Sequence, residues 1–416
     1  LTITNNFNIL ACSHTVTAGA NLEFAEVKNL FFAFNFGSYV FEDQFDDDGN
    51  LLSTGLNQFL TNQIANEYSH GYSLVGDRTV GDESAGSADF KTEQYGFYVQ
   101  DEIDVSDSFR VSLGARIDIP VWKDGPVNEE FNTTTVGLLE AAGKDLQGAR
   151  VGQQISNAVF SPRLGFNWDV NGDRTTQIRG GLGVFTSRLP LVWPGGTYNN
   201  NGVTGGFAFD ATFFGPGAGQ LFEPDVNNQF KSVEPGTGGL GGNIDLVAAD
   251  FKLPQVMKYN IAVDQKLPWW GLIASAEFLY TDVIQDIYYE NLNLRGPVRC
   301  YDGADNRPVY NRGDEIDDTY GRIILASNTG AGDATNVTFT LTKPYENGFA
   351  GSISYTYGES SKIFDGTSSQ NSSQWRNIQT VNGKNSRLPV ATSDFAQGHR
   401  FTAFASYQLK WTDNIK

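Results

Sequence analysis

The strongest constraint in this sequence is an alternation of apolar and polar residues with a period of two. Phe109, Val111, Leu113, Ala115, Ile117, Ile119 and Val121 are apolar, and Arg110, Ser112, Gly114, Arg116, Asp118 and Pro120 lie between them. Successive side chains of a strand point to opposite faces, so such a run is a strand with one apolar and one polar face. Immediately upstream, Tyr95, Phe97, Val99, Ile103 and Val105 alternate with Gly96, Tyr98, Gln100, Glu102 and Asp104. Only Asp101 breaks that apolar face. Ser106-Asp107-Ser108 joins the two runs, which predicts a long hairpin with a tight turn.

The unit recurs along the whole chain. Phe160, Leu164, Phe166, Trp168 and Val170 lead to Asn171-Gly172-Asp173, a hairpin-turn sequence, and Ile178, Leu182 and Val184 return. Met257 to Leu267 turns at Pro268-Trp269-Trp270 and comes back through Phe278 and Tyr280. Val337, Phe339 and Leu341 reach Pro344-Tyr345-Glu346-Asn347-Gly348 and are answered by Phe349, Ile353, Tyr355 and Tyr357. Ile3, Phe7 and Ile9 turn near Cys12-Ser13 into Val16, Ala18, Ala20 and Leu22, and Phe401 to Trp411 end at Thr412-Asp413-Asn414. About eleven strands result. Their turns near 12–13, 106–108, 171–173, 268–270, 344–348 and 412–414 alternate strictly with long connections at about 31–87, 123–156, 188–256, 289–332 and 361–396. That places every long loop on one side and every tight turn on the other. Soluble sandwiches and propellers use connections of about 4–6 residues and strands of about 5–6. The pattern is that of a transmembrane antiparallel β-barrel, with short turns in the periplasm and long loops outside.

Composition agrees. Gly (46), Phe (30) and Tyr (17) are abundant, and Gly costs about 1 kcal/mol against Ala within a helix. No window approaches 18 consecutive apolar residues, which excludes a spanning helix but not barrel strands. The net charge of −19 argues against nucleic acid as a partner, since that requires clustered Lys and Arg. Acidic runs such as Asp46-Asp47-Asp48 read as solvated loop faces. Cys12 and Cys300 lie far apart and nothing in the sequence pairs them; Cys12 reads as an ordinary residue at a strand end. Without Met or a signal peptide, the start is expected to be processed or truncated.

In a barrel, Phe109, Val111, Leu113, Ile117, Phe166, Trp168, Phe401 and Tyr407 are expected to face lipid. Arg110, Arg116, Arg163, Arg179, Asp118 and Lys258 alternate with the apolar set and are expected to face the lumen. Trp269, Trp270, Trp411 and Tyr345 cluster at the short-turn end, where an interfacial aromatic girdle belongs. Enzymatic chemistry finds no footing. His14, His70 and His399 have no metal-binding spacing, neither a nucleophile elbow nor a P-loop is present, and Gly180-Gly181-Leu182-Gly183 sits within a strand. No cofactor is expected. Because single-chain bacterial barrels have an even number of strands, and an open edge in lipid is costly, eleven strands are expected to be part of a larger barrel.

Tyr95-Gly96-Phe97-Tyr98-Val99-Gln100-Asp101-Glu102, with Leu113-Gly114-Ala115-Arg116-Ile117-Asp118, resembles a barrel hairpin of TonB-dependent receptors. Phe160-Ser161-Pro162-Arg163-Leu164-Gly165-Phe166-Asn167-Trp168-Asp169, the run Arg179 to Thr186, and the run Asp302 to Asn311 resemble the Oar-like branch, common in Bacteroidetes. The resemblance implies a barrel of about 22 strands, of which residues 1–416 match the central part, with the plug, TonB box and N-terminal regulatory-like domain lying elsewhere. It implies uptake of a bulky ligand energised by the TonB system. The other role it implies is a protein export or surface-attachment scaffold within a larger envelope complex. The partners implied are outer-membrane lipid and lipopolysaccharide, the TonB system and other outer-membrane proteins. No ligand-binding residue carries over.

Overall fold

Eleven long strands follow one another as the alternation requires. They are β1 (Thr2–Ala11), β2 (His14–Leu30), β3 (Ser87–Ser106), β4 (Phe109–Trp122), β5 (Val159–Asp169), β6 (Thr176–Thr186), β7 (Gln255–Lys266), β8 (Ile273–Asn291), β9 (Gly332–Glu346), β10 (Phe349–Lys362) and β11 (Gly398–Tyr407). The computed structural model describes residues 1–30, 34–73, 87–203, 207–212, 219–232, 242–311, 313–363, 365–378, 383–385 and 390–409. Each of the eleven strands pairs antiparallel with the next, so order in the sheet equals order in the chain.

The pairing register keeps the two faces separate across the sheet. One row runs Phe109, Trp168, Ile178, Val263, Ala276, Phe339, Tyr355, Phe401; the neighbouring row runs Arg110, Asn167, Arg179, Ala262, Glu277, Thr338, Thr356, Arg400. A slip of one residue would move every apolar side chain to the polar face, so the alternation itself fixes the register. Among the described residues β1 and β11 are the two edges, β1 exposed at every position and β11 at all but Gly398.

The turn at Cys12-Ser13 falls where the sequence placed it, whereas those at 171–173, 268–270 and 344–348 are shorter or differently built. Cys12 and Ser13 alone separate β1 from β2, and Cys12 takes a positive φ of 55° within the turn. Asn347-Gly348, with φ of 54° and 87°, is the whole turn between β9 and β10. Pro344 to Glu346 belong to the strand, across a bulge between Lys343 and Glu346. Past Pro268, the positive φ values fall on Trp270 and Gly271. The Asn171-Gly172 connection is not a two-residue hairpin. It spans Val170 to Thr175 with positive φ at Gly172 and Arg174, and Asp169 holds it by accepting from the Gly172 and Arg174 amides at 3.1 and 2.9 Å.

At the opposite end the long connections fold into a cap, which alternation does not foresee. Strand Asn243–Val247 runs parallel to strand Arg322–Thr329, and the latter pairs antiparallel with the outer end of β8. Both inserted strands are buried on both faces, as strands covered on both sides are, and Ile323-Ile324-Leu325-Ala326 is a continuous apolar run. Ile244, Leu246, Ile323, Ile324 and Leu325 are essentially inaccessible, and they pack with Phe131, Val136, Leu139, Phe251, Tyr289 and Trp375 into one core. Elsewhere a three-stranded sheet (Ser38–Val40, Glu67–Ser73, Phe207–Thr212) joins the first and third connections. Phe222 of the third connection packs there on Tyr39 and Phe59 of the first, at centroid distances of 5.2 and 5.1 Å.

Candidate functional site

The polar face is a wall of paired charges and hydroxyls. Arg179 on β6 bonds Asp264 on β7 at 3.0 Å and Glu277 on β8 at 3.1 Å, tying three strands together. Arg110 bonds Asp104 at 2.6 Å. Arg116 grips Asp118 through two 2.7 Å bonds and lies over the Tyr98 ring. Arg163 and Lys258 both lie over the Phe185 ring, at 4.5 and 5.6 Å. Further along, Thr338–Thr356, Thr340–Ser354 and Thr342–Ser352 form a hydroxyl ladder at 3.0–3.3 Å. Cross-strand pairs of this kind each contribute a fraction of a kcal/mol. Where two strands must approach, glycine leaves the space: the Tyr98 ring lies over Gly19, where a Cβ would meet it at 2.5 Å. Arg110, Arg116, Arg163, Arg179, Asp118 and Lys258 thus all share this one face.

Phe109, Val111, Leu113, Ile117, Phe166, Trp168, Phe401 and Tyr407 all lie on the other. Leu113, Ile117, Trp168, Phe401 and Tyr407 are exposed there. Asp101, which interrupts that face, finds a partner that alternation alone had not revealed. His14 Nδ1 bonds its carboxylate at 2.7 Å, close to the short turns at both residues' strand ends. Trp269, Trp270 and Tyr345 are exposed at the short-turn end; Trp270 stacks on Phe349, and the Tyr345 hydroxyl donates to Gln408. Trp411 and the turn at 412–414 lie outside the described residues.

At the cap end a cavity of about 1040 Å³ opens between a small hairpin (Arg299–Cys300 with Pro308–Val309) and the helix Asn371–Asn377. Tyr301, Arg307, Arg376 and Lys384 line it. Arg307 pairs with Asp305 at 2.7 Å and holds that carboxyl below the usual range. Burial, with Arg376 nearby, pushes the Lys384 amine down, and its Nζ donates to the carbonyls closing the helix. Composition marked this stretch only as loop; the signal it did carry was Tyr301 with Arg299 and Arg307, which flank the ring at 5.6 and 5.9 Å. Asp46, in the acidic run, accepts from the amides of Asp48 and Asn50, shaping a turn. No cluster of three or more metal-ligating side chains occurs among the described residues. Cys12 and Cys300 are free and exposed.

A continuous antiparallel sheet with one apolar and one charged face, tight turns at one end and a cap at the other, defines a membrane-spanning β protein. The model of the outer membrane beta barrel domain matches residues 1–416. The chain belongs to that family and to the outer membrane. No curated protein matches it. Among solved structures it is similar to the ferric enterobactin receptor of Pseudomonas aeruginosa (13% identity, TM-score 0.40, 86% of this chain and 35% of that one). It is also similar to the FrpB iron transporter from Neisseria meningitidis (11%, 0.41, 92% and 38%) and to the copper transporter OprC (9%, 0.39, 86% and 36%). The chain spans little more than a third of the length of these proteins.

Proposed function

We propose that this chain forms the central wall of a larger, TonB-dependent outer-membrane receptor that takes up a bulky ligand. The apolar face meets lipid, the charged face lines the lumen, the Trp269, Trp270 and Tyr345 girdle sits at the periplasmic interface, and the cap stands outside. The observation that carries the reading is the polar wall. Apart from the buried Asp118, its ion pairs and hydroxyl ladder keep at least partial solvent access across the sheet, as suits a wide lumen and not a side-chain-filled core. Both edges bare their backbone groups, and a sheet in hydrocarbon must pair them. The cap cavity offers room for a ligand far larger than an ion, with two guanidinium groups and a phenol at its rim. Peptide mapping and intact mass of the native protein from outer-membrane extracts test this. A mass well above 45.5 kDa, with peptides of a plug, is expected; a mass equal to it would sink the receptor reading.

The cap favours a second reading. A surface with its own hydrophobic core is a suitable platform for an export or attachment complex. Stable co-purification with other envelope proteins, without ligand uptake, would select it.

A further inference from the structure

The apolar face is not evenly filled. Over β7–β11 it carries a groove of about 450 Å³. Ala274 and Ala276 of β8 form its floor, and in the paired rows Val263 of β7 lies to one side and Phe339 and Leu341 of β9 to the other. Phe401 of β11 extends the lining. Phe339 and Phe401 are 53% and 75% exposed, so the groove is a trough between projecting side chains and not an internal void.

The trough leads to a pair of charges. Phe339, Leu341 and Lys343 follow one another on the same face of β9, which sets Lys343 about 7 Å beyond Leu341 toward the short turns. Beside Lys343 the row continues through Gly351 and Ala405, so little side-chain bulk separates the trough from the lysine. Lys343 bonds Glu346, which the bulge in β9 brings within its reach. The two are unequally placed: the Lys343 side chain is 6% exposed and that of Glu346 60%. A Cβ on Gly271 would stand 3.4 Å from both Lys343 Nζ and Glu346 Oε2, so the pair lies against the turn that carries Trp269 and Trp270. Lys266 is exposed and within electrostatic reach of the Glu346 carboxylate.

We propose that the trough and these charges form a binding site for one glycerophospholipid of the periplasmic leaflet, with an acyl chain over Ala274 and Ala276 and an ethanolamine headgroup at Glu346. The site rests on the reading that this face meets lipid with its short turns in the periplasm. An apolar trough left empty forfeits its dispersion contacts, and at this depth a bilayer supplies hydrocarbon chains to fill it. Trp269, Trp270 and Tyr345 mark the level of the headgroups. Sites that select anionic lipids present clustered Lys and Arg. Here the amine of the ion pair is buried and the accessible member is a carboxylate, so the selection runs toward a headgroup with its own cation. The ammonium of ethanolamine meets Glu346, and its phosphate turns to the exposed Lys266. A headgroup with a phosphate and no ammonium would bring a second negative charge to Glu346.

Native mass spectrometry of the full-length protein, extracted from outer membranes in mild detergent, reads the occupant. One ethanolamine phospholipid per chain is expected to survive washing that strips bulk lipid. In nanodiscs of equal phosphatidylethanolamine and phosphatidylglycerol, the retained lipid should be enriched in ethanolamine about fivefold, the upper value for an exposed charge pair. Ala276→Phe fills the trough and should abolish retention. Ala115→Phe makes the same change on the same face of β4, away from the trough, and should leave retention intact. Glu346→Gln should keep a lipid and lose the preference; should it not fold, the wild-type competition decides the headgroup alone. Equal retention of the two lipids, preference for phosphatidylglycerol, or undiminished retention by Ala276→Phe overturns the site. So does lipopolysaccharide, or a second copy of the chain, in the lipid's place. A protein that needs detergent yet retains no lipid removes the site and leaves the membrane reading standing; a protein soluble without detergent removes both.

Discussion

Leu113 and Gly114 are neighbours in the chain and opposites in circumstance. Leu113 stands in the apolar row with Leu164 and Leu182, while Gly114 faces the polar side beside Gln100. If the apolar face meets lipid, Leu113→Arg should cost about 2–4 kcal/mol near the bilayer centre, and Gln100→Arg should cost close to nothing. Urea unfolding from lipid bilayers separates the two, and equal costs would refute the facial assignment. The polar wall gives a second comparison. Arg179 holds two carboxylates, so Arg179→Ala leaves Asp264 and Glu277 as near like charges. Arg110 holds one, in a pair more than half exposed. Loss of Arg110 should be almost silent and loss of Arg179 should cost about 1 kcal/mol, shrinking in high salt.

At the scale of elements, what could be read from the sequence divides along the membrane boundary. Strands from Thr2 to Tyr407 announce themselves because each has two different environments, and Phe109 to Val121 records that difference in every residue. The strand Arg322–Thr329 has the same environment on both sides. Its Ile323-Ile324-Leu325-Ala326 run therefore carries no alternation, and a period-two reading passes over it as connection. The cap cavity was equally hidden, because Tyr301 and Lys384 come to line one space only through long-range packing. The His14–Asp101 bond was half visible: Asp101 stood out on its face, but its partner needed the register. The division has an energetic counterpart. Leu325 is fully buried in the cap core, so Leu325→Ala should destabilise the cap by about 2–5 kcal/mol. Proteolysis should then accelerate in the connections at 292–331 and 363–397, with β3–β7 unaffected. Loss of the whole sheet with the cap would show instead that the two are one cooperative unit.

For the whole molecule, orientation can be tested without altering a residue. Cys12 sits in a tight turn and Cys300 in the cap hairpin, both free and exposed. An impermeant maleimide added to intact cells should label Cys300 and spare Cys12, and Cys12 should react once the outer membrane is permeabilised. The reverse pattern would invert the molecule in the membrane.

The parallel pairing of Ile244 with Ile323 reaches beyond equilibrium. These residues are 79 positions apart, and the entire β7–β8 hairpin lies between them. Joining them closes a long chain loop around a hairpin that must already be in place, and contacts of such sequence separation form slowly. The meander can grow strand by strand through local turns such as Asn347-Gly348, whereas the cap has to wait for it. Biogenesis should accordingly pass through a species whose sheet is complete and whose apolar cap segments are still bare, and it is at that stage that the chain is most in need of a chaperone.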